Sequence, residues 1–150
     1  MNITWYHKHF KYLSTTELYQ ILQLRNEVFI VEQNCPFQDL DDKDFECYHL
    51  LGFDGDAQQV LAYTRIVPPG VSYPEASIGR VVTAPQARGE GIGKELMQKS
   101  IVLLFELYGE VSIKIGAQLY LKKFYESFGF QQVGEMYLED DIEHILMVRK

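Results

Sequence analysis

The chain has 150 residues, of which 47% are apolar and 23% charged, and this composition is typical of a single globular domain. The formal net charge of -7 and the lack of a Lys/Arg stripe argue against nucleic acid as the main partner, because phosphate binding needs clustered cations. No run is long enough to span a membrane and residues 1–11 have no signal-peptide core, so we expect a cytoplasmic protein. Without a CxxC motif, Cys35 and Cys47 are predicted to be free thiols.

The N-terminal segment predicts a strand followed by a helix. Residues 2–6 favour a strand, and Ser14-Thr15-Thr16-Glu17 has the capping-box pattern in which a hydroxyl and a carboxylate each bind an amide at a helix start. Apolar residues at helical spacing continue the predicted helix to Phe29.

An acidic loop and a hairpin are predicted next. Residues 35–44 contain a proline and several turn-forming residues, so we predict a loop there. Its four aspartates suit a cation, but we interpret them as a solvated acidic surface. Strands at 46–53 and 60–67 are predicted to form a hairpin around Asp54-Gly55-Asp56.

The second half alternates strands and helices. A strand at 76–83 leads directly into a glycine-rich turn, after which apolar residues recur at helical spacing from Ile92. The remaining predicted elements are a strand at 111–117, a helix at 119–128 ended by Gly129, and strands at 131–137 and 144–148. Residues 1–150 therefore predict a single-domain α/β fold whose mixed, mostly antiparallel sheet has about six or seven strands flanked by helices.

The glycine-rich turn predicts a phosphate site. Gly89, Gly91 and Gly93 allow close backbone approach where a helix presents unpaired amides, and Arg88 and Lys94 flank them with positive charge. A helix-entry turn that needs glycine only for packing is the alternative. A P-loop is excluded because Arg88 replaces its first glycine and Glu95 its Ser or Thr, and Lys94 breaks the dinucleotide fingerprint.

Arg88, Gly91 and Gly93 match the signature of the GNAT-type N-acetyltransferases, which the chain resembles. The resemblance implies that acetyl-CoA is the acetyl donor and that the turn binds its pyrophosphate. It further implies that strand 76–83 splays from its neighbour and pairs with the pantetheine arm. The residues thereby assigned to the cofactor are Val81, Val82, Thr83, Arg88, Gly89, Glu90, Gly91, Ile92, Gly93 and Lys94.

The downstream half extends the resemblance. Residues 124–130 look like the family's second cofactor motif, which implies that Tyr125 binds the cofactor and donates a proton to the departing thiolate. A core tyrosine on an amphipathic helix is the alternative. Many members carry an asparagine after the fifth strand, where this chain has Gln118, a weaker cofactor candidate. Residues 24–33 and 49–52 resemble the ElaA-type branch of the family.

An amine attacks a thioester only as the neutral base, so the site needs a proton acceptor. Glu32 and His144 are the candidates, while His49 is interpreted as a hydrogen-bonded core histidine. The Val82 amide is the candidate oxyanion donor. Arg65 and Arg80 interrupt apolar strands, and we expect them to pair with Glu32 and Asp44. The alternative is that they orient an acidic group of the acceptor. The histidines lack further ligands nearby, so the sequence predicts no metal site.

The sequence therefore predicts an acetyl-CoA-dependent N-acetyltransferase in which an amine attacks the donor directly. The acceptor is open, and both small-molecule and protein amines fit. The alternative is a non-catalytic acyl-CoA-binding or sensing module, which would bind the cofactor without releasing its thiol. A homodimer is compatible with the exposed strand edges expected of such a sheet.

Overall fold

The computed structural model describes residues 1–150 as seven strands and three α-helices. The strands are β1 Ile3–His9, β2 Tyr48–Asp54, β3 Gln59–Val67, β4 Ser77–Thr83, β5 Ile113–Gln118, β6 Gln131–Glu139 and β7 Ile142–Arg149. The helices are α1 Thr15–Arg25, α2 Ile92–Tyr108 and α3 Lys122–Glu126. No helix is long and apolar enough to cross a membrane.

The strands form two antiparallel sheets that meet at one point. The first has the order β1-β2-β3-β4 and the second the order β5-β7-β6. A parallel bridge joins Ala76 to Ile113, where the Lys114 amide donates to the Ala76 carbonyl at 3.0 Å. Beyond that bridge β4 and β5 make no further ladder and diverge. The predicted fold, with its splayed strands, is confirmed.

Helix α2 packs its apolar face against the first sheet. Leu96, Met97 and Leu104 are fully buried, and the Ser100 hydroxyl donates to the Leu96 carbonyl at 2.7 Å. That hydroxyl also lies 2.8 Å from the Thr64 hydroxyl of β3, so the polar atoms of this contact are satisfied. The packing fixes the N-terminus of α2 beside the end of β4, where the glycine-rich turn lies.

Helix α1 begins as predicted but ends differently. The Ser14 hydroxyl accepts from the Glu17 amide at 3.0 Å and the Glu17 carboxylate accepts from the Ser14 amide at 2.8 Å, so the capping box is confirmed. After Arg25 the chain continues as a π-helical segment, Asn26–Glu32. Such segments are rare and occur often at functional sites. The spacing of apolar residues predicted one helix through this region and did not indicate the change from α-helix to π-helix.

The prediction that residues 35–44 form a solvated acidic surface is wrong, although they do form a loop. Asp39 and Asp44 are buried and only Asp42 among the four aspartates is exposed. The buried side chains belong to a charge-balanced set, called here the arginine–aspartate network, which comprises Arg25, Arg65, Arg80, Asp39, Asp41 and Asp44. Buried charge requires partners, and the three arginines of the neighbouring elements supply them.

Most ion pairs of the network are short. Arg25 donates to Asp39 at 2.9 Å and to Asp44 at 2.8 Å. Arg65 donates to Asp44 at 3.0 Å, as expected from the sequence. Burial raises the pKa of the Asp44 carboxyl, but hydrogen bonds and charge from Arg25 and Arg65 outweigh burial and hold that pKa below its ordinary value. The network therefore ties the loop to α1 and β3 as ionised groups.

Candidate active site

A cleft of about 660 Å³ lies where β4 and β5 diverge. Its walls come from both splayed strands, the π-helical segment, α3 and the β6–β7 turn. The predicted site residues that line it are Glu32, Val81, Val82, Thr83, Arg88, Gly93, Gln118, Tyr125 and His144. Residues 89–92 and Lys94 lie beyond Arg88 at one end of the cleft and do not line it. Among them Ile92 is buried in the core, whereas Lys94 is exposed.

The glycine-rich turn is open on its outer side. Gly89 and Gly91 have φ angles of +88° and +76°, and a Cβ at either residue would meet nothing within 4 Å. Packing therefore does not explain these glycines; their left-handed backbone does. Gly91 is the N-cap of α2, so the free amides of the first helical turn point toward the space above it. This arrangement suits an anion such as a pyrophosphate.

Arg88 spans the mouth of the cleft to reach the π-helical segment. Its Nη1 and Nη2 atoms each lie 2.7 Å from a different oxygen of Glu32, and Nη2 also donates to the Thr83 carbonyl at 3.2 Å. The hydrogen bonds from Arg88 hold the pKa of Glu32 below its ordinary value. Glu32 is therefore a weaker proton acceptor than an isolated carboxylate.

Gln33, which follows Glu32, contacts the other side of the cleft at the end of β5. The Gln118 side-chain amide donates to Gln33 at 3.2 Å, and Gln33 donates back at 3.5 Å. Gln118 ends β5, whereas Arg88 follows β4, so the end of the π-helical segment is bonded to both splayed strands. The sequence did not identify Gln33, because a glutamine beyond an apolar helix carries no signal of its own.

Tyr125 lies on α3 with its ring buried and its side chain lining the cleft. Phe124 and Phe130 pack edge-on against it, with ring centroids 5.2 and 6.1 Å away. Burial raises the pKa of the Tyr125 phenol well above its ordinary value, and the charge of Tyr120 adds to the shift. The phenol therefore keeps its proton at neutral pH, as a proton donor must.

His144 is the third residue of β7 and lines the same cleft. Its Nδ1 atom lies 2.8 Å from the Ile142 carbonyl, which can only accept, so Nδ1 carries the hydrogen. The lone pair of the neutral ring is then on Nε2, which lies 3.4 Å from the Glu139 carboxylate. Tyr137 stacks on the imidazole at 5.8 Å. Nε2 thus has a lone pair available to accept a proton and lies beside a carboxylate.

His49 is a core histidine, as predicted. Its Nε2 donates to the Asp44 carbonyl at 3.0 Å, and its Nδ1 accepts from the Tyr63 hydroxyl at 2.6 Å. Burial holds the pKa of His49 below its ordinary value. Both ring nitrogens are occupied, and His49 does not line the cleft.

The backbone of β4 contains a bulge at the centre of the cleft. Val82 pairs with Tyr63 and Gly79 with Arg65, so Arg80 and Val81 together lie opposite a single residue of β3. The Ala84 amide donates to the Leu61 carbonyl at 2.8 Å, and hydrogen-bonded pairs alternate along an antiparallel ladder. The Val82 amide is therefore directed toward β3, contrary to its predicted role as oxyanion donor. Val81 has no paired residue in β3, so its amide is the candidate to face the gap instead.

A glycine-rich turn at one end of a cleft between splayed strands is the arrangement that the resemblance to the GNAT-type acetyltransferases implied. A sequence profile of the family described as "Acetyltransferase (GNAT) domain" matches residues 43–150. The chain is 41% identical over 150 residues to the protein ElaA of Escherichia coli, which covers 99% of this chain and 97% of that protein. The chain therefore belongs to the GNAT acetyltransferase family.

Solved structures agree with this assignment. The crystal structure of Escherichia coli ElaA has a TM-score of 0.91 at 41% identity and covers 99% of both chains. That of an acyl-CoA N-acyltransferase from Pseudomonas aeruginosa has a TM-score of 0.94 at 40% identity and covers 99% of this chain and 100% of that one. The predicted resemblance to the ElaA-type branch is confirmed over nearly the whole chain.

Proposed function

We propose that the protein transfers the acetyl group of acetyl-CoA to an amine by direct attack within a ternary complex. The observation that carries this proposal is the position of the glycine-rich turn. Its free amides lie at one end of the cleft that is lined by Tyr125 and His144. Pyrophosphate at Gly89, Gly91 and Gly93 would direct the pantetheine arm along β4 toward those two side chains. Gln118 and Thr83 would flank the arm on either side.

The reaction assigns one role to each reacting group. The ammonium group of the acceptor first gives one proton to Nε2 of His144, which releases it to solvent. The neutral nitrogen then attacks the thioester carbon, and the proton that it loses as the carbon–nitrogen bond forms passes to the same Nε2. The carbonyl oxygen becomes an oxyanion, which the Val81 amide stabilises. The carbon–sulfur bond then breaks, its electron pair leaves with sulfur, and the Tyr125 phenol donates a proton to the thiolate. Solvent returns that proton to Tyr125 and removes the one held by His144.

His144 is preferred to Glu32 as the proton acceptor. Glu32 is held by Arg88 at two oxygens, and this pairing makes its carboxylate less basic. The Nε2 atom of His144 has its lone pair free and a carboxylate at 3.4 Å. Glu32 is therefore assigned to the cofactor end of the cleft, through its hold on Arg88.

The charges of the cleft favour an acceptor that arrives as a cation. Arg80 and Arg88 line the cleft, and both are paired with carboxylates. Glu139 and Asp140 also line it and contact no lysine or arginine. The excess negative charge of Glu139 and Asp140 attracts an ammonium group. Small-molecule and protein amines satisfy this requirement equally.

The test is a calorimetric titration with acetyl-CoA, followed by thiol detection across a panel of amines. Gly91→Glu places a carboxylate where the pyrophosphate would lie and is expected to abolish binding. Gly70→Glu is the matched control, since Gly70 also has a left-handed φ of +90° and no neighbour within 4 Å. Binding without thiol release for any amine would favour the non-catalytic acyl-CoA-binding module.

A further inference from the structure

The bulge in β4 depends on a residue with an unusual backbone. Arg80 has a φ of +51°, in the left-handed region that side chains other than glycine rarely adopt. This conformation is unfavourable for a residue that has a side chain. Arg80 immediately precedes Val81, so the backbone angles of Arg80 set the orientation of the peptide group that carries the Val81 amide. Something must hold Arg80 in this conformation.

The side chain of Arg80 supplies the restraint. Its Nε donates to Asp39 Oδ1 at 2.8 Å, and its Nη2 donates to the Asp39 carbonyl at 2.8 Å. A longer contact of 3.5 Å joins Nη2 to Asp41. Phe37 lies under the guanidinium, with its ring centroid 6.0 Å from Cζ. The guanidinium is thus fixed in position and orientation.

Asp39 is itself immobilised from the opposite side. Arg25 is fully buried at the end of α1, and its Nε donates to Asp39 Oδ2 at 2.9 Å. Its Nη2 donates to the Asp39 carbonyl at 3.3 Å. The two oxygens of one carboxylate therefore join the buried end of α1 to the left-handed residue of β4. Neither contact reaches the reacting atoms directly.

We propose that Arg80 is a positioning residue, held by Asp39, that keeps the bulge of β4 in the conformation which directs the Val81 amide at the thioester oxygen. This inference rests on the proposed acetyl transfer and adds to it a residue outside the reacting set. It also gives the buried network a functional consequence. Asp39 connects Arg25 of α1 to Arg80, and Arg80 fixes the peptide group that carries the oxyanion donor. Removing one oxyanion donor costs an enzyme about 100-fold or more in kcat, and a misdirected donor is expected to cost part of that.

The test uses Arg80→Gly, because glycine adopts a φ of +51° without strain, so the backbone conformation stays accessible while the side-chain contacts to Asp39 are lost. Unchanged acetyl-CoA affinity then shows that the variant is folded despite the loss of one network member. Gln58→Gly is the matched control, because Gln58 has a φ of +56° in the exposed β2–β3 turn, far from the cleft. Arg80→Lys keeps one charged donor toward Asp39. We expect Arg80→Gly to lower kcat by about ten-fold or more while its acetyl-CoA Kd stays unchanged. Arg80→Lys should recover part of the loss, and Gln58→Gly should behave as wild type.

A second measurement does not require turnover. The ¹H–¹⁵N signal of Val81 is expected to shift downfield with acetyl-CoA relative to CoA in the wild type, and to lose that difference in Arg80→Gly. Unchanged kcat in Arg80→Gly, or a parallel loss of kcat and acetyl-CoA affinity, would overturn the proposal, as would a Val81 signal indifferent to the acetyl group. If the wild type shows the signal but releases no thiol with any amine, the proposed function fails while the role of Arg80 stands.

Discussion

Arg88 and Glu32 form a bidentate ion pair, in which Nη1 and Nη2 each lie 2.7 Å from a carboxylate oxygen. The pair joins the glycine-rich turn to the π-helical segment. Each partner is about four-tenths exposed, with side-chain values of 43% and 39%. The same guanidinium is assigned to the cofactor pyrophosphate. Under this proposed assignment Glu32 and the pyrophosphate would compete for Arg88, and cofactor binding would either displace the carboxylate or share the arginine with it.

Glu32→Gln is expected to tighten acetyl-CoA binding, because it removes the competitor and keeps the size of the side chain. An exposed ion pair contributes little, so we expect a gain of no more than about five-fold. Glu27→Gln is the control, since Glu27 is an exposed carboxylate of the same segment without a hydrogen bond to Arg88. Calorimetry measures both. Weaker binding by Glu32→Gln would mean that the pair must stay closed over the cofactor.

Tyr125→Phe is expected to lower kcat by about ten-fold or more, the lower range for loss of a proton donor. The ring and its aromatic contacts remain, so the acetyl-CoA Kd should not change. Tyr19→Phe serves as the control, because Tyr19 is 70% exposed on α1. Steady-state thiol release gives kcat for each variant, and wild-type turnover by Tyr125→Phe would remove the phenol from the mechanism.

His144→Gln tests the proton acceptor. Glutamine retains a polar side chain of similar length but cannot take a proton, so kcat at neutral pH is expected to fall by about 100-fold. His7→Gln is the comparison, since His7 is an exposed residue of β1 outside the cleft. A preserved kcat in His144→Gln, together with a loss in Glu32→Gln, would reverse the choice between the two candidates.

The arginine–aspartate network predicts a dependence of stability on pH. The pKa of Asp44 is lowered in the folded protein, so Asp44 stabilises the fold above its unfolded pKa of about 4 and loses that contribution as the pH falls through its folded value. Asp44→Asn should lower the free energy of unfolding at neutral pH by about 3 kcal/mol and reduce its decline below about pH 4. Urea unfolding at several pH values measures both effects.

Asp42→Asn is the control for that experiment. Asp42 belongs to the same loop but is exposed, and asparagine tolerates its left-handed φ of +67°. A stability curve for Asp44→Asn that coincided with the curve for Asp42→Asn would show that the network contributes nothing to folding.

Local sequence patterns predicted the elements of the fold well. The capping box at Ser14 and the left-handed glycine at Gly129 act within a few residues, so their chemistry can be read from the chain. Each of the seven strands overlaps a predicted one. The turn at Gly89 and Gly91 was found for the same reason, because a left-handed backbone requires glycine almost regardless of tertiary context.

Long-range contacts could not be predicted in this way. Asp39 meets Arg80 across 41 residues of sequence, and Glu32 meets Arg88 across 56. Spacing carries no information about such pairs. The interpretation of the acidic loop as solvated is therefore wrong, and so is the expected pairing of Glu32 with Arg65 or Arg80, because Glu32 pairs with Arg88. The bulge at Arg80 was equally hidden, because a left-handed arginine is stabilised by its partner and not by its own propensity.

The charge balance of the arginine–aspartate network limits how the protein can change. Loss of a single member leaves a buried charge without a partner, at a cost of about 3–5 kcal/mol, a large share of a domain's stability. Tolerated substitutions at these six positions should therefore come in complementary sets, as compensating changes. A loop taken from residues 35–44 and grafted onto another scaffold would have to bring Arg25, Arg65 and Arg80 with it. The arginine–aspartate network is thus a module defined by its charges, and its boundaries do not follow the order of the chain.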